Sequence, residues 1–436
     1  MYEPSRSLWT QGNYAGVDTE VDGFDLEVRG SLPPELVGLY VRNGSNPKDP
    51  SVGGHWFVGD GMLHGVRLEQ GRASWYRNRW VRTPLLGQDP FAAAPGGADN
   101  TSNTSVTFFA GRLLSMEEIG FPYEISTADL STVGPFDFAG RLTTAMTAHP
   151  KIDPATGRLH FFGYGFVPPF LTYHVADPDG TLVSSTEVSV PASVMMHDFA
   201  ITDRDVVFWD LPVLFSLDAA VAGSSMPYVW TPGNGARVGV MPLGGTGDQI
   251  RWVEIDPCFV FHGTNAWRDG DDVVLDVSRQ PSAFAAPDER VVLANRVERW
   301  RIGTGGANLT IGRDVVVDRA FDLPTVAPAT VGRPHEKAFY VNARNADGGY
   351  EFGGIASVGR TDGVVDEWDP GFGFMSGEPL VVGAHVLVFV YDRARDSSTL
   401  AVFDADRIAA GPVAEVRLPR RVPFGFHGTW IAQPVG

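Results

Sequence analysis

Four histidines stand at glycine-flanked or polar positions where an imidazole can do chemistry. They are His149, His197, His262 and His427, separated by 48, 65 and 165 residues. Local metal motifs place their ligands about three to five residues apart, so these histidines form no finger and no HExxH site. If they share one site, the fold must bring them together, and imidazole ligands suit zinc, copper, iron or nickel. Ordinary packing in the core or exposure on the surface remains the alternative for each one.

Short strand-like runs dominate the chain and would have to position these side chains. The clearest runs are 38–44, 111–117, 157–164, 205–212, 271–278 and 385–392. Pro and Gly predict turns at 153–157 and 177–180. Roughly 400 residues of short strands favour a radially repeated sheet, a β-propeller, whose inner strands all point at one axis. We predict one all-β domain over residues 1–436, with Ala-rich pieces at 91–98, 217–223 and 407–410 forming short helices or loops.

Composition excludes several classes of protein. The 436 residues are 43% hydrophobic and 20% charged, enough apolar material for a large core. The net charge of −18 repels phosphate backbones, so we expect no nucleic-acid partner. The single cysteine, Cys258, excludes internal disulfides and cysteine metal clusters. We find no apolar leader at the N-terminus and no spanning run of about 18 apolar residues. A soluble cytoplasmic protein is therefore expected, and we also expect a monomer.

Other catalytic motifs give little support to competing chemistry. The sequence has no GxSxG elbow, no P-loop and no GxGxxG after a strand. Asp198 directly follows His197, but no serine elbow accompanies the pair, so a hydrolytic triad is not favoured. No local pattern singles out paired acids for glycoside hydrolysis either.

Six segments, taken in order, resemble the carotenoid cleavage oxygenase family. They are residues 38–47, 55–62, 149–164, 195–202, 261–267 and 421–430. The resemblance implies a seven-bladed β-propeller with loops and short helices capping one face. It also implies one Fe(II) on the propeller axis, held by four histidines and by no carboxylate. By motif position, the ligands are His149, His197, His262 and His427.

The resemblance also implies an outer layer of carboxylates that accept hydrogen bonds from the spare ring N–H groups and so orient the ligands. Motif position places the first family glutamate at Glu118 and the third at Glu378. The second position departs from the family's Glu-Phe-Pro-Arg, because residues 322–325 read Asp-Leu-Pro-Thr. Asp322, one methylene shorter, is predicted to take that role. Thr104 matches a threonine that lies near the vacant metal position in many members.

The reaction implied is O2-dependent cleavage of a conjugated C=C bond in an apolar small molecule to two carbonyl products. The family divides between carotenoid or apocarotenoid substrates and stilbenoids. Stilbenoid cleavers carry a lysine before the first outer glutamate, paired with a tyrosine, to activate a phenol. In this sequence Glu117 and Trp80 stand at those positions. A carboxylate cannot stabilise a phenolate by charge, so the sequence favours an apocarotenoid, with stilbenoid cleavage as the alternative.

Aromatic residues are candidates for lining an apolar substrate tunnel, although core packing is the alternative for each. They are Phe57, Trp80, Phe121, Phe166, Phe170 and Phe215. The apolar runs 166–171 and 211–217 are candidates for a weak membrane contact at the tunnel mouth, without help from anionic lipid because the chain is acidic. Two further alternatives remain: polyene isomerisation at the same iron, and a non-catalytic propeller that binds an apolar ligand or a protein partner.

Overall fold

A computed structural model describes residues 8–49, 55–88, 97–285, 295–346 and 349–433. Within these ranges the strands form seven antiparallel sheets of four or more strands, with one smaller hairpin. Inner strands of neighbouring sheets contact one another, so the sheets are blades arranged around one axis. The prediction of a seven-bladed β-propeller is therefore confirmed.

Blades 1 to 4 follow the chain in order, and in each of them the chain runs from the axis outward. Blade 1 contains Ser105–Phe109, Arg112–Met116, Tyr123–Ile125 and Thr132–Pro135. Blade 2 contains Lys151–Ile152, Leu159–Tyr164, Leu171–Ala176 and Leu182–Glu187. Blade 3 contains Ala200–Ile201, Asp205–Asp210, Ala236–Pro242 and Arg251–Ile255. Blade 4 contains Phe259–Asp269, Asp272–Gln280, Arg296–Gly303 and Thr310–Val317.

Blades 5 to 7 complete the ring, and the last two recruit strands from the N-terminal part of the chain. Blade 5 contains Phe321–Thr325, Lys337–Ala346, Gly349–Gly359 and Val365–Trp368. Blade 6 contains the two inner pieces Phe374–Ser376 and Leu380–Val382, then His385–Asp392, Ser397–Asp404, Ala414–Arg417 and Val28–Gly30. Blade 7 contains Gly428–Ala432, Gly38–Arg42, Met62–Glu69, Arg72–Trp80 and Asp22–Phe24. Pairing of Gly38–Arg42 with Gly428–Ala432 closes the ring.

Few residues of the described part of the chain are helical. The α-helix Leu217–Val221 begins after Ser216, whose side chain accepts a hydrogen bond from the Ala219 N–H. It connects the two strands of the hairpin, Val213–Phe215 and Tyr228–Trp230. Short 3₁₀ turns are Leu8–Thr10, Gly12–Tyr14, Pro232–Asn234, Gly247–Gln249, Pro328–Thr330 and Ile408–Ala410. Helical turns thus occur in two of the three Ala-rich pieces, whereas residues 91–96 of the third lie outside the described residues.

The core lies between the faces of adjacent blades. Asp205–Asp210 is buried along its whole length, because blades pack on both sides of it. Between blades 3 and 4, Val207 and Val238 pack in one cluster with Leu275 and Trp300. Full burial of such side chains contributes about 1.5–3 kcal/mol each. The predicted strand runs are therefore the buried middle of the blades, and they hold the inner strands in fixed positions.

None of the helices in the described ranges has the length and apolarity needed to cross a membrane.

Candidate metal centre

The four predicted ligands lie where inner strands begin. His149, His197 and His427 come one to three residues before the inner strands of blades 2, 3 and 7. His262 lies near the start of the inner strand of blade 4, where the pairing register shifts between Val260 and Gly263. Inner strands of a propeller start at the same face and point at one axis. Four widely separated stretches of sequence are thereby brought to one place.

The imidazoles converge on a common centre. One ring nitrogen from each of the four histidines lies within 4.8 Å of the others. Nε2 of His197 is 2.9 Å from Nε2 of His149 and 3.2 Å from Nε2 of His262. All six pairs of rings have centroids 4.2 to 6.1 Å apart.

Carboxylates from the remaining three blades contact three of these rings at Nδ1, the nitrogen that faces away from the common centre. His197 Nδ1 contacts Glu118, His262 Nδ1 lies 2.7 Å from Asp322 Oδ1, and His427 Nδ1 lies 2.7 Å from Glu378 Oε1. Glu118 belongs to blade 1, Asp322 to blade 5 and Glu378 to blade 6. Each of the seven blades thus supplies one residue, four of them an imidazole and three a carboxylate.

The tautomers set by these carboxylates show that the site fits a metal ion. When Nδ1 of His197 and of His262 donates to a carboxylate, each neutral ring directs its Nε2 lone pair inward. Two lone pairs 3.2 Å apart repel each other unless a cation lies between them. Two imidazole nitrogens that each lay about 2.1 Å from a shared ion would be at most about 4.2 Å apart. The observed separations of 2.9 and 3.2 Å fall within that limit.

Burial shifts two of the rings toward the neutral form that binds a metal. Burial, together with the neighbouring His427 and His197, holds the pKa of His149 well below its ordinary value. Burial also lowers the pKa of His262, although Asp322 opposes the shift. For His197, burial favours the neutral ring, but Glu118 outweighs it and raises the pKa. Neutral imidazole is the form that coordinates a metal, so binding the ion would release a proton from any ring charged without it.

Further hydrogen bonds fix the outer carboxylates. Glu378 Oε2 accepts from the Gly428 N–H at 2.9 Å, and Asp322 Oδ2 accepts from the Asn295 side chain at 3.0 Å. The Tyr164 hydroxyl donates to Glu118. Sequence reasoning missed Tyr164, because nothing in a strand sequence shows which residue 46 positions away its hydroxyl will reach. The three carboxylates are thus anchored as well as placed.

Thr104 and Glu117 lie next to this group. Thr104 immediately precedes the inner strand of blade 1, and its carbonyl accepts from the His427 N–H at 3.1 Å. The Thr104 hydroxyl donates to Asn103 Oδ1 at 2.8 Å. Glu117 Oε2 accepts from the Thr101 N–H at 2.9 Å. Burial, aided by the charge of Glu118, raises the pKa of Glu117 to about 7.

A run of aromatic rings in successive contact passes the histidines. Its members, in order, are Phe57, Phe261, Phe284, Tyr228, Phe215 and Phe166. The Phe261 ring lies 5.6 Å from that of His197, centroid to centroid. Phe57, Phe166 and Phe215 were predicted to line a tunnel. Phe261 was not predicted to do so, although it directly precedes a predicted ligand. This aromatic run provides an apolar wall that leads away from the metal centre.

The other predicted tunnel residues pack elsewhere. Trp80 is 4% exposed, packs with Val17 and Met62, and donates its indole N–H to the Asn46 carbonyl at 2.9 Å. Phe121 packs against the cluster between blades 1 and 2. Phe170 precedes the strand Leu171–Ala176 and is partly buried. For these three residues, contact with substrate remains a prediction.

Each of the remaining six histidines contacts a polar group outside the metal centre. The pairs are His55 with the Phe57 N–H, His64 with Tyr76, His160 with Tyr173, His174 with Ser185, His335 with Asn265, and His385 with Glu35. Burial lowers the pKa of His160 to about 4. These contacts agree with the prediction that the six are packing or surface residues.

Seven blades and four converging imidazoles define a β-propeller that could hold a metal ion on its axis. Comparison with known proteins specifies the class further. The family model described as retinal pigment epithelial membrane protein matches residues 14–432. The carotenoid cleavage oxygenase of Mycobacterium tuberculosis is 36% identical, with 98% of each chain covered. The carotenoid 9,10(9',10')-cleavage dioxygenase 1 of Arabidopsis thaliana is 33% identical, covering 99% of this chain and 91% of the relative.

Solved structures agree with these sequence matches. Lignostilbene dioxygenase from Pseudomonas brassicacearum superposes with a TM-score of 0.90 at 27% identity, covering 99% of this chain and 100% of that one. Cobalt-substituted ACO from Synechocystis shares the fold, with a TM-score of 0.86 at 24% identity and 99% of each chain covered. The chain belongs to the carotenoid cleavage oxygenase family. Its four-histidine group fits a metal ion, and the relatives it matches are carotenoid cleavage dioxygenases.

Proposed function

We propose that this protein uses Fe(II) and O2 to cleave a conjugated C=C bond of an apocarotenoid-like substrate. The observation that carries the proposal is the convergence of four imidazoles, three of them backed by carboxylates, beside an aromatic wall. The ferrous ion would supply the binding and activation of O2. Both oxygen atoms enter the products, and the alkene provides all four electrons, so two carbonyl groups form without an external reductant.

The protein's own residues would hold, orient and shield the reaction. Glu118, Asp322 and Glu378 keep three imidazoles in the tautomer that directs Nε2 toward the ion. The aromatic run excludes water and aligns an extended polyene past Phe261. A flat conjugated chain gains contact area along such a wall, because aromatic faces pack well against it.

Glu117 supports the choice of an apocarotenoid over a phenol. Burial raises its pKa to about 7, and in neither form does it offer a phenolate the positive charge that a lysine at this position would supply. Stilbenoid cleavage is the second candidate, since the lignostilbene dioxygenase has so similar a fold. In that case substrate selection would have to depend on residues other than Glu117.

The far end of the aromatic run reaches an apolar surface, which we call the mouth patch: Val167, Leu217, Val221 and Val229. Their exposed fractions are 73%, 67%, 81% and 42%. Val167 follows Phe166, and the other three belong to the adjoining hairpin and its helix. We propose that this patch contacts a neutral lipid surface from which an apolar substrate enters. The net charge of −18 disfavours anionic lipid.

The test is an assay of Fe(II)-reconstituted protein against a panel of apocarotenals and hydroxystilbenes, read by mass spectrometry with and without O2. We expect O2-dependent conversion of an apocarotenal to two shorter carbonyl compounds. Turnover of hydroxystilbenes alone would reverse the argument from Glu117. Products of unchanged mass formed without O2 would identify an isomerase. Full iron occupancy with no turnover of any compound would favour a binding protein.

A further inference from the structure

The fourth ligand differs from the other three in how its outer nitrogen is held. Nδ1 of His149 lies 4.0 Å from Asp198 Oδ1, beyond a direct hydrogen bond. In the part of the chain that the structure describes, no carboxylate lies closer to that nitrogen. The other three ligands each have a carboxylate directly against Nδ1. Asp198 is therefore the acidic group placed to orient His149.

Asp198 is built into the site rather than left on its surface. It is 1% exposed, and Lys151 Nζ lies 2.7 Å from its Oδ1. The Phe199 N–H donates to Oδ1 at 2.8 Å, and the Gly263 N–H donates to Oδ2 at 2.9 Å. Such donors fix the direction of a buried carboxyl.

These contacts connect Asp198 to three ligand segments at once. It follows His197 in the chain, its cation Lys151 is two residues after His149, and Gly263 comes directly after His262. A carboxylate needed only for stability could sit anywhere between blades. This one contacts the backbone or side chains of blades 2, 3 and 4 at the strand ends that carry metal ligands.

We propose that Asp198, anchored by Lys151 and by the Gly263 N–H, is a positioning residue that orients His149 and fixes the spacing of three ligands. One bridging water can carry a hydrogen bond across the 4.0 Å between the carboxylate and the ring nitrogen. The inference rests on the proposed iron site but is independent of the substrate.

Metal binding by the protein itself provides the test. Metal-free wild type and Asp198→Asn are titrated with Co(II), read by its visible absorption bands, and with Fe(II) in competition with a chelator. Removing an outer partner typically weakens metal affinity about 10–100-fold. We expect Asp198→Asn to lose affinity in that range and to shift the Co(II) bands, since the ligand geometry changes.

The matched control is Asp205→Asn in the same blade. Asp205 is also buried, and it also ties blade 3 to blade 4, through two contacts of 2.6 Å with Arg268. It follows the inner strand, whereas Asp198 precedes it. We expect Asp205→Asn to lower thermal stability while keeping wild-type metal affinity and Co(II) bands. Equal metal affinity and equal bands in the two variants would overturn the proposal.

A second variant decides the matter if Asp198→Asn does not fold. Lys151→Met keeps the carboxylate but removes its cation, and the lysine is partly exposed, so folding should survive. We expect a smaller loss of metal affinity in the same direction, with shifted Co(II) bands. Wild-type affinity and bands in Lys151→Met would then refute the role of Asp198. Failure of the wild type to bind metal would instead refute the proposed iron site.

Discussion

Asp322 accepts a hydrogen bond from Nδ1 of His262 at 2.7 Å, the same distance that separates Glu378 from Nδ1 of His427. The shorter side chain reaches its ligand because the strand Phe321–Thr325 loses register with its neighbour after Asp322. Leu323 there has φ +50°, in the left-handed region that non-glycine residues seldom adopt. The departure from the family's glutamate thus leaves the hydrogen bond intact.

Asp322→Asn is expected to weaken iron affinity or activity about 10–100-fold. The amide carries no charge to stabilise the His262 N–H, and its own NH₂ would face the Asn295 donor that now contacts Oδ2. Metal titration and steady-state kinetics measure the effect. Asp276→Asn is the control, since Asp276 is buried and pairs with Arg299 away from the histidines. Wild-type metal affinity in Asp322→Asn would remove Asp322 from the centre.

His262→Ala is expected to reduce bound iron and activity together. One of four ligands is lost, so the loss of affinity should exceed that caused by an outer carboxylate. Iron per chain, measured after exhaustive buffer exchange, reports the result. His385→Ala, which removes a histidine paired with Glu35 on blade 6, should keep full iron. An iron-replete and active His262→Ala would contradict the assignment of this ligand.

Glu117→Gln should change how stability depends on pH. The pKa of Glu117 is raised from an ordinary 4.5 to about 7 by burial, so the folded chain holds its proton more tightly than the unfolded chain does. Below about pH 4.5 both states are protonated and the wild type is fully stable. As pH rises to about 7, the free energy of unfolding of the wild type falls by up to about 3 kcal/mol relative to that of Glu117→Gln. Denaturant unfolding of both proteins at about pH 4.5 and about pH 8 measures this change. If the free energies of unfolding of the two proteins differ by the same amount at both pH values, the raised pKa of Glu117 is contradicted.

Val221→Asp should weaken binding to neutral phosphatidylcholine vesicles several-fold, because a charge enters the mouth patch. Flotation of protein with the vesicles measures binding, and activity on detergent-dispersed substrate should persist. The control, Val364→Asp, alters an equally apolar and 62% exposed side chain on blade 5 and should float like wild type. If both variants behave alike, the mouth patch is not a lipid contact.

Much of this arrangement could be predicted, because strand runs and turns are local properties of the sequence. Deep burial follows from apolar runs such as Asp205–Asp210, and Asp153 and Gly157 form the predicted turn with a 2.8 Å hydrogen bond. The ligands were assigned only because whole segments resemble a family. Contacts between blades, such as that of Tyr164 with Glu118, depend on the three-dimensional arrangement, so the spacing of residues in the sequence does not predict them. For Trp80 the sequence could not distinguish packing in the core from lining a tunnel, because an aromatic side chain suits both positions.

The closure of the ring has a consequence for biosynthesis. His427 immediately precedes the strand that pairs with Gly38–Arg42, so the fourth imidazole reaches the axis only when the two distant segments join. A nascent chain emerging from the ribosome carries three ligands long before it carries the last one. Contacts between residues so far apart in sequence form late in folding. A prematurely terminated product lacking residue 427 would therefore carry only three of the four imidazoles, and its centre would stay incomplete.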